Sequence, residues 1–400
     1  MSKTRAIIVG GGISGIAAAL ALDQIGIEVA VYELRPVPAT VGGATNLTPT
    51  AMRYLDHLGV LAEAQNLAAE TRAMEVFSMD SGKKLGSVFF DRADKTGYGA
   101  MRITRWDLLS SLLAGAKKKE IPIYYGAKLT EIVEEDGGVT ARFADGRQDR
   151  ADMLVGADGI FSATRMKYVD PDSKPVYTGC VAAGGILEAS KVKAPIHFKD
   201  AAVNLSENGM LVTAYCNRER TNLYVAVTMS KKDEAQEGWT MGEKEASETK
   251  DYMIQRYASA KMPCIKEIID SWDDQFYWPV RMLKTQRAWW KGRVCLIGDA
   301  VHAMPPNGES VGFCLEDAVL IATLFQRRGT ASPDAIFKEF ESLRRDEMER
   351  AREDSLVRWH SAGKVSWLRW KLRELCAPWY FWWTQGGRDA AYGKDVRTMI

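Results

Sequence analysis

A handful of residues near the start of the chain have the types and spacing to hold a phosphate-bridged nucleotide. Gly10, Gly12 and Gly15 make a G-x-G-x-x-G pattern in Gly10-Gly11-Gly12-Ile13-Ser14-Gly15, and Glu33 follows further on. Gly10 permits a tight turn, Gly12 lets backbone approach a pyrophosphate, and Gly15 lets a helix pack closely on a sheet. A helix starting there offers free N–H groups and a partial positive charge to phosphates. Glu33 can accept hydrogen bonds from a ribose 2′-hydroxyl, and its charge disfavours a 2′-phosphate. The pattern therefore points to FAD or NAD rather than NADP. Two aspartates each follow an apolar run: Asp158 in Gly156-Ala157-Asp158-Gly159, and Asp299 in Gly298-Asp299-Ala300-Val301-His302. An acid at a strand end sits at the carboxyl edge of a sheet, where open α/β folds bind ligands.

The elements around these residues support that reading. Arg5–Val9 is a short apolar strand, Ile16–Leu22 an alanine-rich helix broken by Gly26, and Ile27–Tyr32 a second strand. This strand–turn–helix–strand–acid order separates a nucleotide site from an ordinary tight turn. Pro36–Pro49, with Val41-Gly42-Gly43-Ala44-Thr45-Asn46, reads as a glycine-rich loop that runs under a cofactor or lies on the surface. Thr50–Leu58 reads as a helix closed by Gly59. Glu75–Phe90, broken at Asp80-Ser81-Gly82, and Lys128–Phe143, broken at Asp136-Gly137-Gly138, read as hairpins. Arg105 precedes a helix over Asp107–Lys118, an unfavourable place for a cation unless an anion or ribose lies nearby; a solvated surface arginine is the competing reading. Ala151–Val155 and Arg293–Ile297 are the strands that end at the two aspartates. From 175 to 285 the chain turns strand-rich, in Tyr177–Leu187, Met210–Met229 and Gln275–Thr285, with a charged helical stretch over Lys231–Ala260. Helices are expected over Phe313–Arg327 and Ser332–Arg358. The pattern predicts a discontinuous α/β nucleotide domain (1–75, 100–174 and 286–330). A β-rich layer (76–99 and 175–285) and a C-terminal helical region (331–400) complete the organisation.

Composition narrows the function classes. The 400 residues carry a net charge of +1 and are 46% hydrophobic, enough for a large core without the basic excess of a nucleic-acid binder. No run approaches the ~20 apolar residues of a spanning helix. The charged start leads straight into a strand, so no signal peptide is expected. Six scattered cysteines without C-x-x-C read as reduced thiols of a cytoplasmic protein. Four distant histidines offer no metal-ligand spacing. Trp367, Trp370, Trp379, Trp382 and Trp383 crowd the C-terminus. They are expected to cover the β-rich layer; with Lys371 and Arg373 they could otherwise sit at a membrane surface or bind a partner.

The three signatures at 10–33, 156–159 and 298–302, in this order, resemble the group A flavoprotein monooxygenases, over roughly Lys3–Gln326. These are the single-component aromatic hydroxylases that include salicylate and para-hydroxybenzoate hydroxylases. The length resembles the compact salicylate hydroxylase-like branch and the enzymes that decorate fungal secondary metabolites. The resemblance implies a Rossmann-type FAD-binding domain with an inserted β-rich substrate domain and C-terminal helices, as in para-hydroxybenzoate hydroxylase. It implies non-covalent FAD, reduced by NADPH or NADH at a transient site. Oxygen would be carried as a flavin C4a-hydroperoxide to an aromatic or polycyclic substrate, in a monomer or homodimer. By resemblance, Gly10, Gly12, Ser14 and Gly15 cradle the cofactor, Glu33 binds its adenosine ribose and Arg105 contacts it. Gly43 and Ala44 lie by the flavin, and Asp158 serves both FAD and the nicotinamide. Asp299 bonds the ribityl chain, Pro305 belongs to the same segment, and Gly312 presents its N–H to the flavin pyrimidine. His302, in that segment too, is expected to be structural.

Phenolic substrates are activated by losing a proton. Tyr215 and Tyr224, on strands of the substrate layer, are the candidates to assist, with packing as the competing reading for each. The chain also departs from the pattern: Ser310 and Cys314 stand where relatives often have glycines. In Ala182-Ala183-Gly184-Gly185, Gly184 replaces an arginine that helps many relatives hold an anionic substrate. A simple salicylate-like carboxylate is therefore not expected. A flavin-dependent epoxidase, dehydrogenase or reductase acting on a polyketide or terpenoid is the alternative within the fold.

Overall fold

The computed structural model describes residues 3–231, 243–257, 259–271, 276–284, 288–361 and 365–400. The chain opens with β1 (Arg5–Val9), α1 (Ile13–Gln24) and β2 (Glu28–Tyr32). The alanines of α1 are buried along with Ile16, Leu20 and Leu22, because small side chains let the helix lie close between the sheet and other helices. The expected loop over 36–49 instead contains β3 (Ala44–Leu47). Its short polar residues gave no strand signal; it forms because β6 lies alongside to receive its hydrogen bonds. There follow β4 (Ala73–Ser78), β5 (Lys84–Phe89), β6 (Met101–Thr104), α2 (Arg105–Lys118) and β7 (Met153–Gly156). The Thr104 hydroxyl caps α2 by accepting from the Asp107 N–H. The β-rich part supplies β8 (Val176–Glu188), β9 (Ala201–Ser206), β10 (Gly209–Tyr215) and β11 (Asn222–Ser230). Next come α3 (Glu243–Tyr257), α4 (Pro263–Asp270) and β12 (Phe276–Met282). Of the helical stretch expected over Lys231–Ala260, residues 232–242 and 258 lie outside the described residues, as do Gln275 and Thr285 at the ends of the expected last strand. The chain finishes with β13 (Val294–Leu296), α5 (Ser310–Arg328), α6 (Pro333–Ser361) and α7 (Trp367–Gly393).

Two sheets organise the molecule. In the six-stranded sheet β13, β7, β1 and β2 are parallel neighbours in that order. In the seven-stranded sheet the order is β12-β8-β11-β10-β9-β4-β5, so 73–89 joins strands from 176–282. One face of this second sheet packs Leu211, Leu223, Val225 and Val227 against Met253, Ile265 and Ile268 of α3 and α4. The other face carries the row Val76, Val203, Val212, Ala226 and Gly184 across β4, β9, β10, β11 and β8. Helix α7 lies over the β4–β5 end of that face. Trp370, Ala377 and Phe381 pack there with Val76 and Leu85, and the Gln385 amide bonds both the N–H and the C=O of Phe89 at 3.0 Å. A Cβ at Gly86 would come within 2.6 Å of the Phe381 ring, so the glycine allows the close contact.

The expected cover is therefore present, but of its five tryptophans only Trp370 contributes. Trp367, Trp379, Trp382 and Trp383 are 62–75% exposed. The helix buries one face, and these four lie on another. No helix among the described residues is long and apolar enough to cross a membrane.

Candidate cofactor and substrate site

The strand order brings the sequence signatures together. Gly10 follows β1, Glu33 follows β2, Asp158 follows β7 and Asp299 follows β13. All four stand at the carboxyl ends of adjacent parallel strands. The glycines divide by role. Gly10 has φ +112°, and a Cβ there would sit 2.4 Å from the Ala157 carbonyl oxygen. A Cβ on Gly15 would sit 1.8 Å from the Gly10 oxygen. Both are required by the protein's own packing. Gly12 is not: it lies at φ −81°, and a Cβ there would meet no protein atom within 4 Å. It stands at the start of α1, which has no side-chain cap. A bare residue at an uncapped helix start is what close approach of a phosphate needs.

Glu33 ties this turn to β2, accepting the Gly11 N–H at 2.6 Å and the Arg35 N–H at 2.9 Å. Asp158 braces its own loop: it accepts the Ser162 hydroxyl at 2.5 Å, and the Thr164 N–H and hydroxyl at 2.9 and 3.1 Å. Burial raises its pKa, and these hydrogen bonds oppose the rise. Asp299 opens a short helical turn, Asp299–His302, behind Gly298 at φ +59°. Ser14 lies against Gly298 and bonds the Cys314 thiol, whose pKa burial pushes up to about 12. Gly312 is in the first turn of α5, which also lacks a side-chain cap; Thr48 is its nearest neighbour at 3.6 Å from an ideal Cβ. Pro305 is buried in the segment leading to that turn.

The Gly42-Gly43 turn runs between Arg105 and the second sheet. Gly42 takes φ +97° over the Arg105 side chain, and the Gly43 carbonyl accepts the Arg105 N–H at 3.0 Å. The buried Arg105 Nε has no hydrogen-bond partner among the described residues. Ala44 begins β3 directly after this turn. A Cβ on Gly43 would lie 2.6 Å from the Tyr224 ring. Tyr224 therefore stands at the seam where the seven-stranded sheet meets the turn into β3, whose own small sheet includes β6, and it lies near-parallel to Phe276 with centroids 6.4 Å apart. Burial raises its pKa, opposed by Arg102 and Arg105.

Tyr215 does not join it. Tyr224 pairs with Ala214 across the strands, whereas Tyr215 pairs with Leu223. Directly opposed residues share a face and successive residues alternate, so the two tyrosines face opposite ways. Tyr215 packs with Phe198 and under Arg220 in the α3–α4 core, and its role as a catalytic candidate is withdrawn. The structure also explains Gly184: a Cβ there would lie 2.2 Å from Phe276 Cζ, so no side chain fits. His302 is structural, with Nε2 2.6 Å from Asp317.

Three residues at the seam carried no local signal. Asn46 and Arg102 face each other across β3 and β6, and Phe276 closes the β12 side. Arg102 sits only three positions before Arg105, but nothing in one dimension places it beneath Tyr224.

A family model described as FAD binding domain matches residues 3–352. The chain belongs to this family of FAD-binding proteins. The 6-hydroxynicotinate 3-monooxygenase of Bordetella bronchiseptica is 24% identical to this FAD-binding protein over 351 residues, covering 87% of this chain and 89% of that one. The 3-amino-4-hydroxybenzoate 2-monooxygenase PtnB3 of Streptomyces platensis is 27% identical over 382 residues, covering 94% and 93%. Among solved structures, Klebsiella pneumoniae HpxO complexed with FAD and uric acid superposes with a TM-score of 0.80 at 23% identity, covering 99% and 97%. A salicylate hydroxylase substrate complex superposes at 0.78 with 21% identity, covering 98% of each chain. These two likenesses establish the fold. The residues fit the cofactor that the family name specifies: Gly12 leaves room at an uncapped helix start, and Arg105 offers an unused buried donor.

Proposed function

We propose that this FAD-binding protein is a monooxygenase that hydroxylates an aromatic small molecule, with NADH or NADPH as reductant and O2 as oxidant. The observation that carries the reading is the convergence of four strand ends on one sheet edge, with Tyr224 of the second sheet facing the same turn. The names of the relatives, hydroxylases of hydroxynicotinate and aminohydroxybenzoate, support the reaction class and do not favour the dehydrogenase, epoxidase or non-catalytic alternatives.

Bound FAD supplies the redox chemistry, taking two electrons from the nicotinamide and activating oxygen for transfer. The residues of this chain bind, orient and shield. Gly10, Gly12, Ser14, Gly15 and the α1 N-terminus hold the pyrophosphate, and Glu33 takes the adenosine ribose. Arg105 reaches the cofactor from beneath Gly42, with Gly43 and Ala44 alongside. Asp158 shapes the loop where the nicotinamide arrives. Asp299 takes the ribityl chain, and Pro305 shapes the segment after it. The α5 N-terminus at Gly312 favours negative charge on the flavin. Tyr224, its pKa raised by burial, keeps its proton at neutral pH. It therefore donates a hydrogen bond to a phenolate oxygen rather than acting as a base.

The test is purification with measurement of flavin content, then NAD(P)H oxidation across a panel of phenolic acids and N-heteroaromatics with product mass. Substrate-stimulated oxidation and a product heavier by one oxygen are expected. Protein without flavin, or oxidation that never yields an oxygenated product, would overturn the reading.

A further inference from the structure

Four arginines are buried among the described residues: Arg53, Arg102, Arg165 and Arg344. Three are saturated. Arg53 donates to the carbonyls of Lys394, Thr96 and Tyr392, and Arg165 to those of Ser173, Ala300 and Ile160. Arg344 is surrounded by carboxylates. Arg102 is different. It is 5% exposed, its Nε has no acceptor, and no carboxylate among the described residues pairs with it. Its one close aromatic neighbour is the Tyr224 ring, 5.8 Å from the guanidinium carbon.

A second polar orphan lies directly opposite. Asn46 on β3 is the cross-strand partner of Arg102 on β6, is 6% exposed, and has an Oδ1 without a donor. Residues paired in this way share a face of the sheet, and Arg102 defines that face as the one turned towards Tyr224. The Arg102 Nε–H and the Asn46 amide oxygen thus stand side by side at the seam, both buried and without a hydrogen-bond partner among the described residues. Buried polar groups are ordinarily satisfied, and a buried cation without a counter-charge is costly. The protein retains this cost where Tyr224 meets the Gly42-Gly43 turn.

We infer that Arg102 and Asn46 form the anion-recognition site of the substrate pocket. The ligand is an aromatic acid whose carboxylate takes the guanidinium fork and whose adjacent hydroxyl, amino or ring N–H donates to Asn46 Oδ1. A planar guanidinium matches a carboxylate through two parallel hydrogen bonds. The assignment reverses the expectation drawn from Gly184. Phe276 leaves no room for a side chain there, and the cation enters instead from β6, on the cofactor side of the seam. The inference rests on reading this seam as the active site. An anionic oxygen could also come from the cofactor, and the experiment separates the two sources.

The full-length, FAD-loaded protein and its Arg102→Gln, Arg102→Lys and Asn46→Ala variants are titrated by calorimetry with salicylate, 3-hydroxybenzoate, 6-hydroxynicotinate and the three matching carboxamides. FAD content is measured in each. Wild type is expected to bind at least one acid ten times or more tighter than its amide. Arg102→Gln weakens that acid about a hundredfold and leaves the amide unchanged. Arg102→Lys restores part of the loss and remains informative if the glutamine variant does not fold. Asn46→Ala weakens acids that carry a neighbouring donor more than those that do not. Equal binding of acid and amide, or no binding of any acid, overturns the inference. So does loss of FAD with the acid-to-amide ratio intact, which would assign Arg102 to the cofactor. If acids bind in an Arg102-dependent way but NAD(P)H oxidation never yields an oxygenated product, the hydroxylase reading fails and the anion site stands.

Discussion

Arg344 and Arg102 are both buried guanidinium groups, and they sit in regions built on opposite terms. Arg344 on α6 reaches Asp317 at 3.0 Å, Glu316 at 3.1 Å and Glu347 at 2.5 Å. Asp317 in turn takes the Gly298 N–H at 2.9 Å and pairs with His302. Burial alone would raise the Asp317 pKa, but His302 and Arg344 outweigh it and hold the carboxylate below its usual range. This closed network clamps the turn after β13, which presents Asp299. At the seam no carboxylate among the described residues pairs with Arg102, and its guanidinium lies against the Tyr224 ring. A group that has spent all its hydrogen bonds on the protein holds the fold; a buried cation with bonds unspent calls for a separate explanation.

The widest gap between the two regions should appear on truncation. Arg344→Met strands Glu316, leaves Asp317 with only His302 and the Gly298 N–H, and is expected to cost about 3–5 kcal/mol in denaturant unfolding. Arg102→Met, measured without FAD, strands no partner and is expected to be neutral or stabilising. Equal losses would break the comparison. Next comes pH. Burial raises Glu316 to about 7, with Arg344 opposing. Its folded pKa lies above the unfolded value of ~4.3, so the native state binds the extra proton. The stability this group contributes is present below the unfolded pKa and is lost as pH rises through about 7. Wild type should lose on the order of 2–3 kcal/mol from this source between pH 5 and pH 8, and Glu316→Gln should flatten that slope.

The glycines sharpen the contrast at a smaller scale. Gly15→Ala forces a Cβ onto the Gly10 carbonyl and is expected to cost about 1–3 kcal/mol. Gly12→Ala has nothing in the protein to strike and should leave the melting temperature of the FAD-free protein nearly unchanged while FAD retention falls. At the tyrosines, Tyr224→Phe should lower kcat/KM by roughly tenfold, about 1.4 kcal/mol. Tyr215→Phe, on the far face, should stay within about twofold. A reversed order would return Tyr215 to the site. The smallest effect belongs to Trp382→Ser on the exposed face of α7, within about 0.5 kcal/mol by denaturant unfolding.

The nucleotide-binding unit was legible because its information is local. Gly10 to Glu33 is one uninterrupted stretch in which glycine positions, an alanine-rich helix and two apolar strands follow directly from residue type. The strand-end aspartates were legible for the same reason, as were both hairpins: Ala73–Ser78 pairs antiparallel with Lys84–Phe89, and Leu129–Glu135 with Gly138–Phe143, each across a turn that carries its own glycine. The β3 strand was missed, because its four residues depend on β6 for pairing.

Sequence by itself thus determined the α/β class, the glycine turn at Gly10–Gly15 and the acids that end β7 and β13. Tertiary structure alone decided that β13, β7, β1 and β2 lie side by side. It alone decided that Tyr224 faces the seam while Tyr215 faces away, that Phe276 occupies the space beside Gly184, and that four tryptophans of α7 point outward. It also set Arg102 and Asn46 opposite each other, with Arg102 Nε and Asn46 Oδ1 lacking a hydrogen-bond partner among the described residues. The physical reason is parity. A strand's side chains alternate between two faces, and which face is which depends on register with a neighbour distant in sequence; a slip of one residue reverses every assignment.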